Sequence, residues 1–169
     1  SCCPPNIARV LASLESYLYT HDSDNIWVHL YLSNTAEITC GGENITLTQE
    51  TDYPWDGQVD VTVNTTTQRQ ITLNLRLPGW CDSPALKLNG EDVDLAEHSH
   101  NGYVKIRKQW NEGDHLSLTL PMPPRKTEAH PEVRQNAGKI ALQRGPLVYC
   151  LEEEDNGKRL HDIYLPDNA

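Results

Sequence analysis

The apolar residues at the start of the chain recur with the period of a helix. Five of them fall on one face of a helix predicted over residues 4–20, at i, i+3, i+4, i+7 and i+11 spacing: Ile7, Val10, Leu11, Leu14 and Leu18. Pro4 and Pro5 suit the first turn, where a missing N–H costs nothing and φ is already near its helical value. The pattern therefore predicts one amphipathic α-helix at the start.

From residue 26 onward the apolar residues alternate with polar ones, which is typical of half-buried strands. The longest alternating runs cover residues 26–32, 59–63 and 71–77, and shorter ones cover residues 36–40, 45–47, 86–88, 104–106 and 116–120. Between them lie Gly41-Gly42, Asn89-Gly90 and Asn101-Gly102, which favour tight turns. The pattern predicts a mainly β fold, an antiparallel β-sandwich with one solvated face per sheet.

A cluster of prolines marks the best candidate for a domain boundary. Pro121-Met122-Pro123-Pro124 interrupts strand pairing, and only two or three more strands are predicted after it. Three strands are too few for an independent core. We therefore expect a helix in residues 1–20, a sandwich in residues 21–123, and an incomplete second β domain in residues 124–169, at the tail end of a larger protein.

The net charge and the hydrophobic pattern exclude some classes of partner, and the cysteine content indicates the redox compartment. The net charge of −10 argues against a nucleic-acid partner, since phosphate binding needs clustered Lys and Arg. The sequence contains no apolar run of ~18 residues, so no membrane span is predicted. The five cysteines are odd in number and mostly scattered, which favours a reducing, cytoplasmic compartment over a disulfide framework.

Two adjacent thiols at the start of a helix are candidates for a catalytic or metal-binding role. A helix N-terminus stabilises anions, so Cys2 and Cys3 are placed to act as thiolates, either as a nucleophile or as metal ligands. Zn²⁺ is the usual metal for such thiolates and takes about four ligands, but no C-x-x-C or H-x-x-H motif supplies the others. From the residues alone, the alternative that both cysteines are small apolar residues packed at a helix start stays open.

The segment Cys2-Cys3-Pro4-Pro5-Asn6 resembles the CCPPN signature of glycoside hydrolase family 127, the β-L-arabinofuranosidases and their relatives. Segments at residues 75–80, 110–114, 120–123 and 138–149 are consistent with the same family, so the resemblance covers nearly the whole chain. It implies a retaining glycosidase with an (α/α)6 barrel followed by β-sandwich domains. Residues 1–20 would then be the last barrel helix, with the barrel itself missing.

The resemblance also assigns roles to the two thiols. It implies that Cys2 is a zinc-bound nucleophile and that Cys3 is a second zinc ligand, while a glutamate and another cysteine come from the missing N-terminal barrel. The intact enzyme would release non-reducing-end β-L-arabinofuranose from an arabinofuranoside. This chain, lacking the barrel and the acid/base residue, is predicted to be inactive and to hold no zinc tightly.

Two alternatives concern the sandwich itself. Four tryptophans offer a sugar-stacking platform for a non-catalytic carbohydrate-binding domain: Trp27, Trp55, Trp80 and Trp110. We expect Trp80 and Trp110 to cap the core and Trp55 to be exposed. A purely structural accessory sandwich is the other alternative.

His98 and His100 are a second candidate for a metal site. On a strand their side chains would share one face and could bind metal, but the polar residues around them favour a solvated loop.

Overall fold

The computed structural model describes residues 2–166. Three α-helices are present in this part of the chain: α1 (Cys3–Ala12), α2 (Leu95–His98) and α3 (Glu153–Asn156). The first sheet contains β1 (Tyr19–His21), β2 (Asn25–Val28), β6 (Gln70–Arg76), β9 (Ser99–His100) and β10 (Tyr103–Gln109). The second contains β3 (Asn34–Cys40), β4 (Glu43–Thr51), β5 (Gln58–Thr65), β7 (Ala85–Leu88), β8 (Glu91–Asp92) and β11 (Asp114–Thr119). A third contains β12 (Pro124–Glu128), β13 (Ile140–Arg144) and β14 (Leu147–Tyr149), and short 3-10 helices cover Leu14–Tyr17, Arg134–Asn136 and Leu160–Asp162.

The chain divides into two compact units at Met122 and Pro123, inside the proline cluster. In the first unit, a sheet with strand order β1-β2-β6-β10-β9 and a sheet with order β3-β4-β5-β11-β7-β8 enclose one core. Pairing is antiparallel except between β2 and β6, which run parallel. The predicted mainly β fold with a sandwich and one N-terminal helix is confirmed.

Alternation along the strands builds the sandwich core. In β5 the three valines Val59, Val61 and Val63 are at most 1% exposed, while the polar residues between them are only half-buried. Two of these valines have fully buried leucines as cross-strand partners: Val63 pairs with Leu47 on β4, and Val61 pairs with Leu116 on β11. Complete burial of such a side chain contributes about 1.5–3 kcal/mol, so this shared face holds the two sheets together.

Trp110 closes one edge of this core. It is 2% exposed, and its indole N–H donates to the backbone carbonyl oxygen of Ile71 at 2.8 Å. The Lys108 ammonium lies 5.4 Å from the centre of the indole ring. The expectation that Trp110 caps the core is confirmed, and its only polar atom is satisfied.

The predicted helix is shorter than the pattern suggested. It was expected to extend to residue 20, but α1 ends at Ala12, where the Ser13 hydroxyl donates to the Arg9 carbonyl oxygen at 2.9 Å. A side-chain bond of this kind competes with continued helix formation. After the 3-10 turn, Tyr19 and Thr20 pair with β2 instead, because aromatic and β-branched residues favour strands.

The second unit is a three-stranded antiparallel sheet of order β12-β13-β14, in agreement with the two or three strands predicted there. Several large apolar side chains on β13 and β14 are 40–68% exposed: Ile140, Leu142, Val148 and Tyr149. Among residues 2–166, no helix has the length and hydrophobicity needed to cross a bilayer.

Candidate active site

Cys2 and Cys3 are brought together at the start of α1. Cys2 is the N-cap and Cys3 the first helical residue, and both are exposed free thiols. Their Sγ atoms lie 3.8 Å apart. Neither thiol is therefore packed in the core that the described residues form.

The local sequence explains why these sulfurs face outward. Pro4 and Pro5 fix the first turn of α1, and no side chain caps its N-terminus. Because proline carries no N–H, Pro4 and Pro5 offer no backbone donor to an anion in the first turn of α1.

The spacing of the two sulfurs fits zinc. Two thiolates bound to one tetrahedral Zn²⁺ at about 2.3 Å each lie about 3.8 Å apart. The distance between the Cys2 and Cys3 sulfurs is 3.8 Å. Within residues 2–166, however, no group of three or more His, Cys, Asp and Glu side chains is arranged to hold a metal ion. In this part of the chain the pair alone offers two of the four ligands that a tetrahedral site takes.

The apolar face of the same helix lies open. Ile7, Val10 and Leu11 are 61%, 53% and 66% exposed, and α1 contains no buried residue. Only Leu18, just beyond the 3-10 turn, reaches the core. Within the described residues, the sandwich therefore leaves the apolar face of α1 uncovered.

The other metal candidate does not form a site. His98 ends α2 and His100 lies on β9, and both side chains are exposed. The predicted solvated surroundings of this pair are correct, although a helical turn and a short strand replace the expected loop.

The tryptophans divide as expected between core and surface. Trp80 packs partly buried against the core, while Trp55 is 70% exposed. Trp27 lies half-buried on β2. A continuous stacking platform of all four is therefore excluded, since Trp110 is inside the sandwich.

Sequence reasoning missed an aromatic group that joins Tyr31, Tyr53 and Trp80. The rings of Tyr31 and Tyr53 meet edge to face with centres 5.9 Å apart, and the Tyr31 hydroxyl donates to the Arg76 carbonyl oxygen. Burial raises the pKa of Tyr53, while a hydrogen bond with Trp80 acts in the opposite direction.

Two family models match the chain along its two units. Residues 25–122 match the middle domain of the GH127 β-L-arabinofuranosidases, and residues 124–169 match the C-terminal domain of glycoside hydrolase family 127. The chain belongs to glycoside hydrolase family 127. The resemblance found in the sequence is thereby confirmed.

Individual relatives agree with this assignment. A non-reducing end β-L-arabinofuranosidase of Bifidobacterium longum subsp. longum is 35% identical over the whole chain, which spans 26% of that protein. A crystal structure of a GH127 β-L-arabinofuranosidase from Geobacillus stearothermophilus T6 superposes with a TM-score of 0.94 and 48% identity, covering 99% of this chain and 26% of that one. A GH127 β-arabinofuranosidase, BT3674, gives a TM-score of 0.84 and 34% identity over 91% of this chain and 26% of its own.

The chain thus corresponds to about a quarter of the length of these family 127 relatives. Its thiol pair stands just before the matched middle domain, which begins at residue 25. The β-sandwich and the three-stranded sheet are the parts of the family fold that this chain contributes.

Proposed function

We propose that this chain is the C-terminal portion of a retaining β-L-arabinofuranosidase that uses Cys2 as its nucleophile. The observation that carries the proposal is the exposed thiol pair at the free N-terminus of α1, with its sulfurs 3.8 Å apart. The Bifidobacterium and Geobacillus relatives are both β-L-arabinofuranosidases, which supports the choice of substrate. The product would be β-L-arabinofuranose released from a non-reducing end.

The proposed chemistry begins with the Cys2 thiolate attacking the anomeric carbon. A C–S bond forms as the bond from that carbon to the leaving oxygen breaks, and a carboxylic acid outside this chain donates a proton to that oxygen. Water then loses a proton to the same carboxylate as its oxygen bonds to the anomeric carbon from the opposite side, and the C–S bond breaks to return the Cys2 thiolate. Two inversions give net retention, as in the glycosidases that use two carboxylates.

Zinc is the proposed cofactor of the intact enzyme, with Cys2 and Cys3 as two of its ligands and the rest supplied from outside this chain. Bound zinc would keep both sulfurs as thiolates near neutral pH. The chain's own contribution is to hold the two sulfurs at the required separation on a rigid helix start. We expect this chain alone to be inactive and to bind zinc weakly, because two ligands do not complete a site.

The test uses the full-length protein that contains this chain and a β-L-arabinofuranoside substrate. Cys2→Ser is expected to abolish turnover, and Cys150→Ser, which removes another exposed thiol, is expected to leave it unchanged. Product released by the wild type should have retained anomeric configuration by NMR. Near-normal turnover of Cys2→Ser would overturn the nucleophile assignment, and an inverted product would overturn the retaining mechanism.

A further inference from the structure

The segment that follows the thiol helix is fixed to the sandwich by three consecutive residues. Leu18, Tyr19 and Thr20 are each hydrogen-bonded to residues of the sandwich, and we call residues 18–20 the joint. We propose that the joint positions Cys2 for its reaction, and that buried Gln49 is the positioning residue that holds the joint through Tyr19. The proposal rests on the proposed glycosidase function and extends it to residues of the sandwich.

The Tyr19 hydroxyl links one sheet to the other. It donates to the Asn34 side-chain oxygen at 2.9 Å and accepts from the Gln49 side-chain nitrogen at 2.6 Å. Asn34 and Gln49 are cross-strand partners on β3 and β4 of the second sheet, whereas Tyr19 begins β1, the edge strand of the first. A single phenol therefore fixes the edge of one sheet against a strand pair of the other.

The two neighbours of Tyr19 are held by His29. The Leu18 carbonyl oxygen accepts from the His29 backbone N–H at 2.8 Å, and the Thr20 hydroxyl lies 2.7 Å from the His29 ring nitrogen Nε2. The other ring nitrogen lies 2.8 Å from the Tyr103 hydroxyl on β10. The Leu18 side chain is buried in addition. The joint is therefore fixed by backbone bonds, side-chain bonds and packing together.

Hydrogen bonds also connect the joint to the end of α1. The Leu18 N–H donates to the Glu15 carbonyl oxygen at 3.2 Å. The Ser16 N–H and hydroxyl both donate to the Ser13 carbonyl oxygen, at 3.1 and 2.7 Å. The Ser13 N–H in turn donates to the Arg9 carbonyl oxygen of α1 at 3.1 Å. The direction of α1 therefore follows from the direction of the joint.

The length of α1 transmits any tilt at the joint to the thiols. Its 10 residues are all exposed to solvent in this chain, so the sandwich holds the helix only through its C-terminal end. At a rise of about 1.5 Å per residue the helix is about 15 Å long, and a tilt of about 5° moves its far end by about 1 Å. A misplacement of about 1 Å can lower a reaction rate about 100-fold. Small changes at the joint are thus expected to affect attack by Cys2.

Gln49 occupies a position at which stability alone favours an apolar residue. Along β4, the side chains of Ile45, Leu47 and Gln49 are buried in alternation, and Gln49 is 1% exposed. Its Oε1 atom has no hydrogen-bond partner among the described residues. An unpaired buried oxygen costs about 1–3 kcal/mol. Hydrogen bonds, unlike apolar contacts, fix direction as well as distance. A positioning role therefore accounts for a buried amide that weakens the fold.

The test uses the full-length protein that contains this chain and 4-nitrophenyl β-L-arabinofuranoside. Gln49→Met keeps the length of the side chain and removes both its bond to Tyr19 and the unpaired oxygen, so the unfolding temperature should not fall. Its kcat is expected to fall about tenfold, while KM changes by less than about twofold. Tyr19→Phe removes the same bond from the other side and should lower kcat by a similar factor.

Two comparisons separate positioning from a general loss of stability. Gln58→Met removes another short side-chain bond, 2.7 Å long, which joins β5 to the Ser117 hydroxyl on β11. It should change neither kcat nor KM. The double variant of Tyr19→Phe and Gln49→Met should lose about as much kcat as the larger single loss, since both residues act through one bond.

Each other outcome contradicts the proposal. Unchanged kcat in Gln49→Met and Tyr19→Phe would overturn the positioning role while leaving the glycosidase function intact. A loss of turnover that disappears well below the unfolding temperature would assign both residues to stability alone, and additive losses in the double variant would show that Gln49 does not act through Tyr19. Failure of the wild type to hydrolyse the arabinofuranoside overturns the glycosidase function, and the positioning role with it.

Discussion

The ammonium nitrogen of Lys108 lies 2.9 Å from a carboxylate oxygen of Asp114, across the turn that joins β10 to β11. Asp114 is 6% exposed and also accepts hydrogen bonds from the Asn89 amide and the Asn111 N–H, both at 2.8 Å. Burial on its own would raise the pKa of Asp114, but the bonds from Asn89 and Asn111 and the nearby Lys108 together lower it. This carboxylate therefore organises the turn in its charged form.

Replacing Asp114 by Asn should lower the free energy of unfolding by about 1–3 kcal/mol, because a buried set of donors loses its charged acceptor. Urea unfolding at neutral pH measures the difference. Asp92→Asn is the matched control: its pair with Lys87, at 3.3 Å, has side chains 85% and 54% exposed, so no measurable change is expected. Equal effects of the two substitutions would contradict the structural role of Asp114.

The same residue predicts a pH dependence. The folded-state pKa of Asp114 lies below its unfolded value. Its contribution is therefore complete above the unfolded pKa, at about 4, and is lost as the pH falls through the folded value. The stability difference between wild type and Asp114→Asn should shrink between pH 5 and about pH 2. A difference that stays constant over this range would show that charge is not involved.

Gly57→Ala should destabilise the sandwich by more than about 2 kcal/mol, since the new Cβ meets backbone atoms that cannot move cheaply. The nearest is the Leu120 carbonyl oxygen at 1.9 Å. Gly79→Ala is the control, because a Cβ there has no atom within 4 Å and its φ is not in the left-handed region. We expect that variant to be neutral or slightly stabilised by reduced unfolded-state freedom. Thermal unfolding of both variants is the measurement.

The strands were predictable from sequence because the alternation of apolar and polar residues within each segment determines which side chains are buried. Val59, Val61 and Val63 alternate with polar residues, and a shift of one position would turn all three to solvent. The end of α1 was not predictable in this way. Leu14 and Leu18 continue the helical period, but pairing of Tyr19 with β2 depends on residues far along the chain.

The thiol pair was predictable for a different reason. Two adjacent cysteines followed by two prolines at a helix start are an unusual combination, so Cys2 and Cys3 could be recognised as a candidate site from the sequence alone. The group of Tyr31, Tyr53 and Trp80 was not, because its members lie on three loops that only the sheet topology brings together. Side chains from distant loops share no spacing that a sequence pattern can report.

His29 provides a second pH-dependent contribution. Its two ring nitrogens lie 2.7 Å from the Thr20 hydroxyl and 2.8 Å from the Tyr103 hydroxyl. Burial, and then the charge of Arg76, lower the pKa of His29. The unfolded state therefore binds more protons than the folded state just below about pH 6.5, and the stability contributed by neutral His29 is lost as the pH falls.

His29→Gln should accordingly reduce the slope of unfolding free energy against pH between about 7 and 5. His98→Gln is the control, since His98 is exposed at the end of α2. Urea unfolding at intervals of pH gives both slopes. A wild-type slope retained in His29→Gln would assign the pH dependence to other groups.

Substitution of Cys3 tests the proposed zinc site through metal content rather than through turnover. If Cys3 is a ligand of the proposed zinc site, Cys3→Ser in the full-length protein should lower bound zinc after dialysis by about 10-fold or more. Metal content by mass spectrometry measures this without reference to activity. Cys81→Ser is the control, as Cys81 lies in the loop after β6 rather than on α1. Undiminished zinc in Cys3→Ser would remove Cys3 from the proposed ligand set.

The open face of α1 gives the last prediction. Leu11 is 66% exposed in this chain, so Leu11→Asp should leave the unfolding of the isolated chain unchanged. If α1 is the last helix of a barrel in the full-length protein, the same substitution places a charge in a packed interface and should cost about 3 kcal/mol or more there. Glu15→Gln, in the following 3-10 turn, is the control and should be neutral in both. Thermal unfolding of both proteins provides the comparison, and a full-length Leu11→Asp as stable as the wild type would show that nothing packs on this face.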